Sequence, residues 1–460
     1  MRVVIFGTGL YCENRINSIE DKVNIVAFID NNPVLWGRKR KEIPIFAPNL
    51  IKNMQYDKII LMSLSFDEMK KQLLDMGILE EKIKSYEEVY AELNNGKLEI
   101  YFDKIKKNGG KKILIALHMM GYHGVANIAL YTARVLQERG YQVTLIAANG
   151  DKRFIKSVTE KGFLVFIYGG IFCAEIEEMF WLQYFDYVIV NTYSMMRFAL
   201  NVSKIKPSFW WLHESKDVYK RRLEISDTFT ISELDMLNIY AVSNVARKNF
   251  NDCYPNIRIE CLEYGIPEKN VSKITSKNKM IFAIIGYVSE IKGQDVLLDA
   301  IAKLSNYEKE KIEVWIIGKI GDDSYSQKIK SIAKNEESIK ILGELNSDEM
   351  EEAYSRIDVV VCASRQDSFP TVIVEGMMYG RVCITTDVTG IASHIENGRN
   401  GFVCQSEDAG NLCSKIKWIL SNKKSLKKIG ENARKTYLEY FTMKDFGDRI
   451  EKIISSAFAF

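Results

Sequence analysis

The sequence predicts an α/β protein made of three successive Rossmann-like units. Three observations predict it. An apolar strand pattern runs into a glycine turn and then a helical pattern at residues 2–9, at 113–124 and again at 280–293. Strands alternating with helices in this way form parallel sheets joined by crossover helices. A chain of 460 residues also exceeds one ordinary core, so two or three domains are expected. Composition agrees: 47% hydrophobic and 27% charged residues are values of a globular protein. A formal charge of +3 is too small to indicate nucleic acid. The eight cysteines are scattered, with no Cys-x-x-Cys pair, and several sit in apolar strands. They read as reduced core thiols, which argues against a disulfide framework or a structural zinc. No leader pattern opens the chain, and no apolar run reaches the ~18 residues of a membrane span. A cytoplasmic protein is expected.

The first unit covers residues 1–95. Its first strand pattern ends at Gly7-Thr8-Gly9, and its second, Asn24–Ile29, ends at Asp30. Gly7, Gly9 and Asp30 outline a nucleotide loop, with glycines for the turn and an acid for ribose. The third glycine of that fingerprint is absent; Cys12 stands there. A packing or docking module is the other reading. The short basic run Arg38–Lys41 reads as a solvated loop, or as a peripheral contact with an acidic membrane surface. Residues 96–111 are polar and lysine-rich and read as a linker.

The second unit spans 112–272. The strand Ile113–Leu117 leads into Gly121-Tyr122-His123-Gly124, a loop ahead of a helix that can receive an anion. A tight turn explains it equally well. The run Ser208–Leu212 is large and apolar and ends in His213-Glu214. That places His213 at a strand's C-terminal edge, where open α/β sheets bind ligands. A polar stretch, Ser272–Lys279, closes the unit.

The third unit spans 279–435, and its central stretch is 358–380. The strand pattern Asp358–Ala363 is followed by a loop holding Asp367. Pro370 suits a first helical position because its missing N–H is an orphan there. Gly380 suits the left-handed stop. The start of this helix, around Phe369–Val372, offers N–H groups and partial positive charge to a phosphate. Asp367 and Glu375 flank it and suit sugar hydroxyls, since like charges repel a phosphate.

At Asp367 and Glu375, separated by seven residues, with Lys292-Gly293 and His213, the chain resembles the retaining glycosyltransferases of family four, whose two facing Rossmann-like halves form the GT-B fold. The resemblance covers roughly residues 112–445. It implies an acceptor-side domain (112–272), a donor domain (279–435) and a final helix (436–460) packing back on the first half. It implies donor contacts at Gly286, Lys292, Gly343, Leu345, Asp367, Ser368, Phe369, Pro370, Thr371, Val372 and Glu375. Lys292, Glu375, Asp367 and His213 would serve the reaction. The Gly121–Gly124 loop would lie near donor phosphate and acceptor. Residues 1–95 resemble a Rossmann-like domain that precedes some bacterial sugar-processing proteins. Three departures stand out: Asp367 replaces the usual first Glu, Tyr287 replaces a pyrophosphate-binding Arg, and Ala392-Ser393 replace Pro-Glu. Arg365 is a candidate to supply the missing charge.

The expected activity is transfer of a sugar from a nucleotide-diphosphate-sugar donor, a UDP-sugar in the first instance, to a saccharide or lipid-linked acceptor. No metal or further cofactor is expected, since no Asp-x-Asp motif occurs. The Lys, Ile and Asn bias suits a low-GC bacterium and surface or capsular polysaccharide assembly. Two other readings stay open: a nucleotide-sugar-binding subunit without catalysis, and an NAD-dependent sugar-modifying protein acting through residues 1–95.

Overall fold

A computed structural model describes residues 1–63, 65–93, 97–104, 109–172, 175–223, 231–269 and 279–458. Three sheets carry the architecture. The first contains β1 (Arg2–Phe6), β2 (Asn24–Ile29), β3 (Lys39–Arg40), β4 (Ile43–Phe46), β5 (Lys58–Leu61) and β6 (Ile83–Ser85) in the order β3-β4-β2-β1-β5-β6. Only the β3–β4 edge pair is antiparallel. The second contains β7 (Leu98–Tyr101), β8 (Lys112–Met120), β9 (Gln142–Gly150), β10 (Leu164–Tyr168), β11 (Tyr187–Asn191), β12 (Ser208–Leu212), β13 (Ile239–Ala241) and β14 (Ile259–Cys261). Its order is β14-β13-β12-β11-β8-β9-β10-β7. The third is fully parallel, with β15 (Met280–Ile285), β16 (Ile312–Ile317), β17 (Ile339–Gly343), β18 (Val359–Cys362), β19 (Val382–Thr386) and β20 (Phe402–Cys404) in the order β17-β16-β15-β18-β19-β20.

Central strands of all three sheets are continuous runs of Val, Ile, Leu and Phe, as both-faces-buried parallel strands require. One apolar core joins the second sheet to the inner face of the third, reaching Phe369, Tyr437, Phe441 and Phe446. Cys12, Cys362, Cys383, Cys404 and Cys413 are buried free thiols. No helix among the described residues is long and apolar enough to cross a membrane.

Two boundary expectations are corrected. The stretch 96–111 is not all linker, because β7 pairs antiparallel with β10 as the edge of the second sheet. A four-residue strand among lysines shows no period of its own; it forms because β10 offers a free edge. The expected crossing at 435/436 falls later. The helix Lys423–Tyr440 stays on the half built on the third sheet, against the helix Thr371–Met378. The chain crosses at Phe441–Thr442, where Ile266 N–H donates to the Phe441 carbonyl at 3.0 Å. The helix Met443–Ser456 then packs on the helix Gly124–Glu138 of the other half, as a tail returning to the first half should. The stretch Ser272–Lys279 lies outside the described residues except for Lys279.

The basic run is committed within its own domain. Lys39 pairs with Glu42 at 3.2 Å, Lys41 with Glu20 at 2.8 Å, and Arg40 donates to the Thr8 carbonyl at 2.7 Å.

Arg139 anchors the returning tail. Its guanidinium pairs with Asp448 and with Glu451 at 3.1 Å and donates to the Lys444 carbonyl at 3.1 Å. Arg139→Ala should cost about 1–2 kcal/mol in urea unfolding, the range of charged hydrogen bonds reduced for the exposed carboxylates. Hydrogen exchange of Met443–Ser456 should quicken selectively.

Candidate functional site

A cavity of about 290 Å³ lies where the second and third sheets face each other. The half built on the second sheet contributes Gly124, His213, Val242 and Tyr264; the half built on the third contributes Gly286, Lys292, Asp367 and Phe369–Val372. Each charged or polar member comes from the C-terminal end of a parallel strand, where the next turn is free of ladder bonds.

Lys292 sits on the turn after β15. The next residue, Gly293, has φ of +67°, and a Cβ there would lie 2.1 Å from the Ala363 carbonyl oxygen. Only glycine lets this turn press against the end of β18 and aim Lys292 inward. Its Nζ donates to Asp367 Oδ2 at 2.6 Å. The Asp367 charge raises the ammonium's pKa against the opposing effect of burial, so Lys292 stays charged.

The loop after β18 brings Asp367 in. Its Oδ1 accepts from Phe369 N–H at 3.2 Å, which folds the loop over the start of the following helix. That helix runs Thr371–Met378, with Pro370 at the cap position rather than the first helical one. Gly380 takes the left-handed stop, φ +64°. The first N–H groups of a helix lack intrahelical acceptors, and here Thr371 and Val372 border the cavity.

His213 is held by Asn191. The Asn191 amide donates to the Ala116 carbonyl at 3.1 Å, which turns its oxygen toward His213 Nε2 at 3.0 Å. Nε2 therefore carries the proton and Nδ1 is the ring's acceptor. Burial pushes the His213 pKa down to about 3, so the ring is neutral at physiological pH.

Glu375 takes a different position from Asp367. It does not border the cavity; Tyr354 donates to its Oε2 at 2.6 Å. Burial raises its pKa, with the Tyr354 hydrogen bond opposing. Its charge is still felt across the cleft, where it raises the pKa of Tyr131 behind the larger effect of burial.

Other expected residues fall outside the cavity. Gly343 closes β17 and Leu345 lies just beyond it, with the Gly343 carbonyl accepting from Gly318 N–H at 2.7 Å. Of the 121–124 loop only Gly124 borders it. His123 caps its helix, accepting from Ala126 N–H at 3.4 Å while Nε2 meets the Met119 carbonyl at 3.1 Å. Tyr122 is 67% exposed. Arg365 does not replace the missing arginine: its guanidinium forms a bidentate pair with Asp295, both contacts 3.0 Å, and another with Glu407 at 2.9 Å. In the first domain, Asp30 is occupied by its own loop, accepting from Thr8 N–H (2.8 Å), Thr8 hydroxyl (2.6 Å) and Asn32 N–H (2.9 Å). Such a carboxylate has little capacity left for a ribose. No group of three His, Cys, Asp or Glu suited to a metal occurs among the described residues.

The sequence reading missed Ser243, Gln366 and Asn191 as site builders. Ser243 donates to the Ser368 carbonyl at 2.6 Å and Gln366 donates to Asp217 at 2.8 Å, both across the cleft. Their signal was position only, directly after a strand or beside the key carboxylate.

Comparison with known proteins agrees with this geometry. Residues 266–436 match the family model described as Glycosyl transferases group 1. Residues 1–84 match a separate one, C2185-like, N-terminal. An uncharacterized glycosyltransferase of Methanocaldococcus jannaschii, MJ1178, is 31% identical over 146 residues, 31% of this chain and 39% of that protein. The N-acetyl-alpha-D-glucosaminyl L-malate synthase of Bacillus anthracis is 28% identical over 196 residues, 42% of this chain and 45% of that protein. The chain thus spans less than half the length of these curated relatives. The crystal structure of Anabaena Alr3699/HepE in complex with UDP and glucose superposes with a TM-score of 0.61 at 19% identity, covering 75% of this chain and all of that one. That likeness shows the fold.

His213 gives a pH signature. The unfolded chain protonates this residue near 6.5, the folded chain near 3, so folding stability is lost as pH falls through that window. His213→Gln should flatten the fall in melting temperature between pH ~6.5 and ~4.5 relative to the wild type.

Proposed function

Starting from residues 266–436 as a glycosyl transferases group 1 domain in a GT-B fold, we propose that the protein is a retaining glycosyltransferase using a nucleotide-diphosphate-sugar, with UDP-sugar as the first candidate donor. One observation supports this most. Lys292, Asp367, neutral His213 and a helix start converge in one cavity between the two halves.

Cleavage of the sugar–phosphate bond builds negative charge on the departing diphosphate. Lys292 and the N–H groups of Thr371 and Val372 answer that charge from fixed positions, where one such donor contributes about 10²–10³ in rate. Asp367 holds Lys292 in place and accepts from sugar hydroxyls. His213, with Nε2–H committed to Asn191, accepts a sugar hydroxyl at Nδ1. Glu375, held by Tyr354 behind the cavity wall, meets the ribose only where the donor extends past the cavity itself. No side-chain nucleophile is part of the proposal; Asp367 is ion-paired with Lys292. Retention follows if the leaving phosphate takes the proton of the acceptor hydroxyl on the same face. No metal step is part of the proposal. The acceptor is a saccharide or lipid-linked saccharide, of the kind met in surface or capsular polysaccharide assembly.

A thermal-shift panel of UDP-, GDP- and dTDP-sugars tests the donor, because a ligand of the native state stabilises by RT ln(1 + [L]/Kd). Lys292→Ala should lower turnover about 10²–10³-fold while the fold persists. Unchanged turnover in that variant overturns the assignment. Glu375→Ala should chiefly weaken donor affinity, by about tenfold for one lost charged hydrogen bond.

A further inference from the structure

A second, larger cleft of about 920 Å³ lies between the first domain and the second sheet. Its size is at the upper end of small-molecule sites, about 300–1,000 Å³. The floor is made by the C-terminal ends of β8, β9 and β11 and the turn after β12, through Met119, Asn149, Thr192 and Glu214. The roof is the first domain, through Tyr11, Ser63 and Phe66 among others.

Two features tie this cleft to the reaction. His213 borders the smaller cavity and Glu214, the next residue, borders the larger one. The Glu214 carboxylate is fixed by Tyr193 N–H at 2.7 Å and His213 N–H at 2.9 Å. Beside it, Thr192 has φ of +75°, an unfavourable conformation for a β-branched residue and one that clusters at functional sites. The roof is also docked, since Asn149 donates to the Tyr86 hydroxyl at 3.1 Å in a buried bond.

The lining indicates the chemistry. Its charges balance: five cationic side chains and five carboxylates line it, and Lys70 pairs with Glu80 at 2.7 Å within it. No excess of either sign is left to select a charged ligand. Tyr11, Phe66 and Phe172 are its aromatic lining, and Arg15 lies over the Tyr11 ring at 3.8 Å from its centroid. Flat apolar faces beside fixed polar groups suit a neutral sugar, which offers C–H faces and hydroxyls together.

We propose that this cleft binds the acceptor, a neutral saccharide of more than one ring, and that the first domain forms its specificity wall. This rests on the glycosyltransferase reading. It assigns the first domain an acceptor role instead of nucleotide binding.

The test uses the full chain, a UDP-sugar that binds, and a panel of p-nitrophenyl mono- and disaccharides as acceptors. Ser63→Trp fills the cleft from the roof, Ser194→Trp fills it from the floor, and Ser63→Ala is the control. Each Trp variant should raise acceptor KM at least about tenfold by steric exclusion, with donor Kd and acceptor-independent donor hydrolysis changed less than about twofold. Disaccharides should outperform monosaccharides in the wild type and lose that advantage in the Trp variants. Acceptor KM unchanged in both folded Trp variants overturns the proposal. So does a wild type that binds the donor yet accepts no member of the panel. If no nucleotide-sugar binds at all, the glycosyltransferase reading fails first, and the acceptor assignment falls with it.

Discussion

The short loop Gln366–Phe369 is bonded to the half of the molecule it does not belong to. Ser243 donates to the Ser368 carbonyl and Tyr264 to the Phe369 carbonyl, both at 2.6 Å and both buried. Ser368 returns a bond to the Glu214 carbonyl at 2.6 Å, and Gln366 reaches Asp217 at 2.8 Å. The cavity exists because these bonds hold the Asp367 loop against the half built on the second sheet. Gly390 is required for the fit, since a Cβ there would lie 1.9 Å from the Ser368 carbonyl oxygen. If the halves part, each bond is exchanged for one to water, a net change of only about 0.5–1.5 kcal/mol apiece. These bonds thus set how the halves meet, while the shared apolar core around Phe369 and Phe441 sets most of what parting them would cost.

Electrostatics narrows the chemistry further. Lys292 is the one cation among the described residues lining the cavity. Arg365 is nearby in sequence but held by Asp295 and Glu407, and Tyr287 brings no charge. On the proposed reading, the helix start of Thr371 therefore carries a larger share of anion recognition than it would beside an arginine. His213, neutral and oriented by Asn191, adds selectivity for a hydroxyl without adding charge.

Much of the fold was legible because parallel strands announce themselves as unbroken apolar runs. The run from Val359 to Cys362, the glycine turn at Gly286–Gly293 and the stop at Gly380 all stand where their local chemistry puts them. What was not legible depended on partners distant in sequence. The strand Leu98–Tyr101 exists only because β10 leaves an edge open. Asp30 looked like a ribose ligand until Thr8 and Asn32 were seen to bind it. Arg365 looked free until Asp295, 70 positions away, was seen to hold it. In the site, Asp367 and Lys292 could be named from motif spacing, but the separation of Glu375 onto Tyr354 required the packing of another helix. The large cleft was invisible because it lies between domains that the sequence reads one at a time.

The account depends on the diphosphate of a nucleotide lodging where Lys292 and the start of the Thr371 helix meet. A crystal structure of the full chain with UDP measures this directly. The β-phosphate should lie within about 3 Å of Lys292 Nζ and of the Thr371 or Val372 N–H, inside the cavity bordered by His213. A diphosphate bound at the Gly7–Gly9 turn, or on any surface away from Lys292, would contradict it.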